Sequence, residues 1–194
     1  MALDDIATDV NKNSRRDKLI GVYIGILAVM LAICSMGGNN AQTDATHRNI
    51  EAANTWSFFQ AKNLRRNEVR LQIDTLELRL ATDPALTEDA RQKITAKVTE
   101  YRATEKRLTS EPDKKEGLDE LFVRGKELEA QRDLAFKRGP YFDYGGAFLQ
   151  IAIVLASVAI ISGGNFLLFA SFLVGALGAI ATLGGFTLAF PLPF

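Results

Sequence analysis

Apolar residues in this chain gather into three runs, and almost all strongly polar residues lie outside them. The runs cover residues 19–38, 144–162 and 166–190. An α-helix rises about 1.5 Å per residue, so about 20 apolar residues cross a hydrocarbon core of about 30 Å. Each run therefore predicts one transmembrane helix. The sequence Ser162-Gly163-Gly164-Asn165 between the second and third runs is typical of a tight turn between antiparallel helices.

Charge follows the same division. The stretch from Tyr144 to Phe194 contains no Asp, Glu, Lys, Arg or His, although the chain carries 23 basic and 23 acidic residues.

The first run could also be the core of a cleaved signal peptide. A signal peptide needs small residues at its cleavage site, and Cys34-Ser35-Met36-Gly37-Gly38 matches that requirement poorly. The pattern therefore favours a retained first span after a polar tail of residues 1–18.

The polar block of residues 39–143 predicts an extramembrane helical domain. It is rich in Ala, Glu, Gln, Lys, Arg and Leu, which favour helices, and only two prolines divide residues 39–138. We expect helices at about 41–82, 87–110 and 114–138. Thr87 is the expected N-cap of the second helix, and Gly139-Pro140 the expected end of the third. The sequence Gly37-Gly38-Asn39-Asn40 predicts a break or kink where the first span meets this domain.

The first polar helix has apolar residues on two sides. One stripe has spacings of four, three and four residues, and the second repeats every seven: they are Val69, Ile73, Leu76 and Leu80, and Leu64, Leu71 and Leu78. At about 100° per residue the stripes face nearly opposite directions, so the helix needs two partners. The two shorter helices could supply both, or another subunit could replace one. We expect an all-α antiparallel, coiled-coil-like bundle that self-associates.

Small residues at four-residue spacing mark the predicted spans. Such residues let helix backbones approach closely in lipid. The expected helix-packing positions are Gly21, Gly25, Gly175, Gly178, Ala179 and Gly185.

An aromatic patch lies in the polar domain shortly after the first span. Its candidate interaction residues are Trp56, Phe58, Phe59, Lys62, Arg65 and Arg66. Trp56 and Phe59 are three residues apart and share a helix face, whereas Phe58 points elsewhere. Three interpretations are open: a packing core or oligomer contact, a segment in the lipid headgroup region with its cations toward phosphates, or a ligand groove.

Two stretches carry a resemblance to a known family. Residues 32–41, A-I-C-S-M-G-G-N-N-A, are followed by the pattern E-A-x-N-T-W-x-F-F-Q-A-K at residues 51–62. Together they resemble an uncharacterised bacterial membrane protein family, domain of unknown function 4337. The resemblance implies one N-terminal span, a charged helical middle and an apolar C-terminal pair in a bacterial membrane. It implies no activity.

The remaining chemistry favours a non-enzymatic protein. Net charge is zero, so no nucleic-acid partner is expected, and no catalytic, metal or cofactor motif occurs in the sequence. His47 has no second histidine with which to form a metal site. We expect a structural or scaffold homo-oligomer in the bilayer. The alternatives are a channel or export-related oligomer, and an accessory subunit that docks on a larger membrane complex through the Trp56 region.

Basic residues predict the orientation. Four lysines and arginines precede the first span, whereas only Arg48 lies within about 15 residues after it. The positive-inside rule then places the N-terminus in the cytoplasm of a multi-pass inner-membrane protein, with the helical domain in the periplasm.

Overall fold

The computed structural model describes residues 2–191, with side chains from Arg15 onward, as four α-helices and no strand. The helices are α1 (Ala2–Thr82), α2 (Glu88–Thr109), α3 (Leu118–Ser162) and α4 (Asn165–Thr187). By length and composition, α1, α3 and α4 are each able to cross a membrane. Residues 2–18 of the expected polar tail belong to α1, and the side chains of residues 1–14 lie outside the described ones.

Two expected helix ends are absent from the described chain. α1 continues through Gly37–Asn40, where a break was predicted, and α3 starts at Leu118 and continues past Gly139 and Pro140. Tertiary packing overrides local propensity at the glycines, because a Cβ on Gly37 would lie 2.7 Å from Phe142 Cζ and 2.9 Å from Phe186 Cζ. α3 continues through Pro140 although the proline has no N–H to donate.

The prediction of an N-cap at Thr87 is confirmed. Its hydroxyl accepts a hydrogen bond from the Ala90 amide at 3.3 Å, and Glu88 and Asp89 occupy the first turn of α2. Acidic side chains in the first turn stabilise a helix because they interact favourably with the positive end of its dipole. α4 ends at Thr187, three residues before the expected end at 190, and the left-handed Leu188 that follows donates its amide N–H to the Gly184 carbonyl.

The chain divides into two compact units. The apolar unit takes in the described residues up to Ala45 and from Asp133 onward, and the polar unit is Thr46–Arg132. In the apolar unit, α3 is antiparallel to both α1 and α4. Its core contains Leu27, Cys34, Ala41, Phe142, Leu149 and Ala152.

In the polar unit, α2 and the start of α3 follow each other along α1, both antiparallel to it. α2 contacts the C-terminal part of α1: Arg102 pairs with Glu77 at 2.6 Å, and Arg70 pairs with Glu105. The start of α3 contacts an earlier part of α1, where Arg132 donates to Asn49. The two shorter helices thus share one side of α1 instead of flanking it.

This serial arrangement corrects the expectation that the chain could cover both apolar stripes. In the first stripe Ile73 is buried and the other members are partly buried. The second stripe stays exposed, because no helix remains to cover it: Leu64, Leu71 and Leu78 are 61%, 65% and 64% exposed.

Candidate interaction surfaces

Trp56 lies between α1 and α3 in the polar unit. Its indole packs on Gly125, where a Cβ would come within 2.9 Å of Trp56 Cε2 and Cζ2. Phe59 and Phe122 meet the indole edge-on, with ring centroids 5.6 and 5.7 Å away. Glycine at 125 is the residue that leaves room for so large a ring at this crossing. Two of the patch residues, Trp56 and Phe59, therefore pack against α3 within the polar unit.

Polar contacts hold the rim of the indole. Trp56 Nε1 donates to Glu129 Oε1 at 3.0 Å, and Lys126 Nζ donates to Glu129 Oε2 at 2.9 Å. The Lys126 ammonium also lies 5.6 Å from the Trp56 ring centroid. The Lys126 hydrogen bond and, after it, the Trp56 hydrogen bond lower the pKa of Glu129, because both favour the carboxylate form.

The basic residues of the patch point in several directions. Lys62 donates to the Glu116 carbonyl, and its ammonium lies 4.0 Å from the Glu111 carboxylate. Arg66 donates to Asn63 Oδ1 at 2.7 Å, within α1, and Arg65 is exposed. Lys62 and Arg66 thus each have an acceptor within the protein, and the interpretation in which these cations face lipid phosphates stays a prediction.

Two phenylalanines in and beside the patch remain exposed. Phe58 is exposed, as its place in the helical repeat predicted, and Lys62 lies 5.4 Å from its ring centroid. Phe122 is also about half exposed even though it contacts Trp56. The aromatic surface available to another molecule is therefore made of these two phenylalanines.

In the apolar unit, three of the predicted packing glycines lie at helix contacts. A Cβ on Gly175 would lie 2.9 Å from Tyr23 Oη, and one on Gly178 would lie 3.0 Å from the Leu149 backbone nitrogen. At Gly185 it would meet the Phe142 ring at 2.8 Å. Ala179 is partly buried beside them. These contacts bring α4 close to α1 and α3, as small residues do in lipid.

The other two predicted packing glycines, Gly21 and Gly25, make no such contact. Both are exposed, and no described atom outside their own helical turn lies within 4 Å of an added Cβ. The expectation is wrong for packing within the chain. The reason is that α3 and α4 both lie on the side of α1 that carries Tyr23 and Leu27.

Sequence reasoning missed several contacts of the apolar unit. Arg16 donates to the carbonyls of Gly163 and Gly164 at 2.8 and 3.2 Å, and so joins the start of the first span to the α3–α4 turn. Ser171 Oγ donates to the Ala152 carbonyl at 2.7 Å, and Tyr23 Oη donates to the Ser171 carbonyl at 3.1 Å. A lone serine or arginine in sequence gives no signal of its distant partner.

Comparison with known families gives a match over most of the chain. The model of the family described as Domain of unknown function (DUF4337) matches residues 16–188. No curated protein and no solved structure matches the chain. The match includes all of α2, α3 and α4 and residues 16–82 of α1, and so covers the Trp56 patch and the glycine contacts. The resemblance seen at residues 32–62 is thereby confirmed, and the chain belongs to the DUF4337 family.

Proposed function

We propose that this protein is a non-enzymatic scaffold of the bacterial inner membrane that self-associates along α1. The observation that carries the proposal is the exposed stripe Leu64, Leu71 and Leu78. Leucines on one helix face are normally covered, and each contributes about 1.5–3 kcal/mol when fully buried. A spacing of seven residues matches the repeat at which two supercoiled helices meet.

A second copy of α1 is the partner that this spacing favours. Three spans inserted in the same way place equivalent helices of two copies parallel, so each leucine of one copy faces its equivalent in the other. Repeated leucine layers in register are the packing of a parallel coiled coil. The stripe has one leucine per heptad, with polar residues between, so it supports a modest association rather than an obligate one.

The first span supports the same partner. Gly21 and Gly25 are open on the side of α1 that contacts neither α3 nor α4. In lipid, association depends on close backbone approach, which glycines at four-residue spacing permit. We therefore propose that the two glycines contact the equivalent helix of another copy.

The proposed orientation has the N-terminus in the cytoplasm and the polar unit in the periplasm. The basic residues before the first span support it through the positive-inside rule. The hydrogen bonds from Arg16 to Gly163 and Gly164 support the up-down-up order, because they join the start of the first span to the turn between α3 and α4.

Cysteine cross-linking in native membranes tests the association. Leu64→Cys, Leu71→Cys and Leu78→Cys would be expressed one at a time and oxidised with copper phenanthroline. The native Cys34 is buried and serves as the common background. Parallel α1 helices predict that all three variants give disulfide-linked dimers. An antiparallel pair would give a dimer for Leu71→Cys alone.

The matched control is Gln92→Cys, which is exposed on α2. It should remain monomeric under the same oxidation. Cross-linking of Gln92→Cys as fast as that of the three leucine positions would mean random collision, and absence of dimer at all three would reject self-association through α1.

A further inference from the structure

A cleft of about 400 Å³ opens in the apolar unit where α1, α3 and α4 meet. It lies where the first apolar run ends and the second is about to begin, with Gly37 and Asn40 on α1 and Arg138 and Phe142 on α3. One end is polar and the other is aromatic. A site with both characters at this level of a spanning helix matches the region where lipid headgroups meet acyl chains.

The polar end carries one charge of each sign. Arg138 and Asp44 both line the cleft, and in the described part of the chain no ion pair joins them. Arg138 Nε is buried and has no hydrogen-bond acceptor among the described residues. Arg138 itself lines the cleft and is only partly buried, so its cation favours a ligand that brings an anionic oxygen. Asn40 and Thr43 add neutral polar groups beside the two charges.

The aromatic end continues toward the apolar runs. Phe142 and Phe186 pack edge-on with centroids 5.0 Å apart, Phe142 being buried and Phe186 half exposed. Ile33 lies four residues before Gly37 and Leu183 three residues before Phe186, and both are exposed. Residues at these spacings share a helix face, so an apolar surface leads from the cleft along α1 and α4.

We propose that this cleft binds one phospholipid with a zwitterionic, primary-ammonium headgroup. Arg138 holds the phosphate, Asp44 accepts hydrogen bonds from the ammonium, and an acyl chain lies along Phe186, Ile33 and Leu183. Charge complementarity selects this occupant. An anionic headgroup such as phosphoglycerol brings hydroxyls but no cation to Asp44, and a choline headgroup brings a cation with no N–H to donate.

Native mass spectrometry of the full chain in detergent tests the proposal. Phosphatidylethanolamine, phosphatidylcholine and phosphatidylglycerol with identical acyl chains would be added separately. Phosphatidylethanolamine should be retained at one molecule per chain and bind tightest. Arg138→Gln should weaken its binding about tenfold, the loss expected for one charge-assisted hydrogen bond. The control Lys137→Gln removes the same charge from the neighbouring residue, which lies outside this cleft, and should leave binding unchanged.

Asp44→Asn separates headgroup selection from general lipid binding. Asp44 is exposed, so its replacement should leave the fold intact even if Arg138→Gln proves unstable. The variant should lose the preference for phosphatidylethanolamine over phosphatidylglycerol, whereas Asp143→Asn should keep it. Equal retention of the three lipids by the wild-type chain, or an unchanged preference in Asp44→Asn, would overturn the proposal. These outcomes are independent of cross-linking between α1 helices, so the two proposals can fail separately.

Discussion

Trp56 packs α1 against α3 in the polar unit. Its indole contacts Phe59, Phe122 and Gly125 and donates to Glu129. Trp56→Ala removes these contacts at once and should destabilise the unit by about 3 kcal/mol, the low end for a large aromatic, because the ring is only partly buried. Thermal unfolding followed by circular dichroism would measure this loss. Phe58→Ala, two positions away and exposed, should change stability little.

The lowered pKa of Glu129 predicts that acid destabilises the polar unit. Hydrogen bonds from Lys126 and Trp56 lower the folded-state pKa of Glu129 below its unfolded value. Its contribution to stability is therefore fully present above the unfolded pKa and is lost as pH falls through the folded pKa. Melting temperatures measured from neutral to acidic pH should fall less steeply for Glu129→Gln than for the wild-type chain. Glu127→Gln, which removes the same charge two residues away, should leave the slope unchanged.

At the scale of the element, substitutions at a glycine in α4 and a glycine in α1 should affect different properties: the first the stability of the monomer, the second the association of copies. Gly178→Leu would force side-chain atoms against the Leu149 backbone and should destabilise the monomer by about 1–3 kcal/mol. Gly25→Leu faces open space and should leave monomer stability intact while it weakens contact between copies. Circular dichroism would measure stability and size-exclusion chromatography would measure association. Loss of stability in Gly25→Leu equal to that in Gly178→Leu would show that Gly25 packs within the chain.

Sequence patterning predicts the elements of this fold better than their ends. The three apolar runs and the cap at Thr87 are visible because length, hydrophobicity and capping act locally. The continuity of α1 through Gly37 and of α3 through Pro140 is not visible, because local signals there favour a break. At Gly37 the ring of Phe142, more than 100 residues away, occupies the space that the glycine leaves.

The candidate surfaces were predictable to a similar extent. The shared face of Trp56 and Phe59 follows from helical spacing, whereas the choice of Gly125 and Glu129 as partners depends on tertiary structure. The periodicity of Leu71 and its neighbours predicted that α1 needs two partners. It could not show that both shorter helices would choose the same side.

For the whole molecule, the proposed topology predicts that the polar unit and the α3–α4 turn lie on opposite sides of the membrane. A membrane-impermeant maleimide added to intact cells with a permeabilised outer membrane should label Gln92→Cys, because the polar unit is proposed to lie in the periplasm. Asn165→Cys, exposed at the α3–α4 turn, should be labelled only after the inner membrane is broken. The reverse pattern would invert the orientation and would leave the order of spans unchanged.

The central claim is that copies of the chain associate along the exposed leucines of α1, and particle mass tests it most directly. Analytical ultracentrifugation in mild, density-matched detergent should give the wild-type particle a protein mass of at least two chains, each of 21.3 kDa. The triple variant Leu64→Gln, Leu71→Gln, Leu78→Gln should shift toward the single-chain mass, whereas Val123→Gln, an exposed apolar position on α3, should not. A wild-type particle that stays at one chain across all concentrations would contradict self-association.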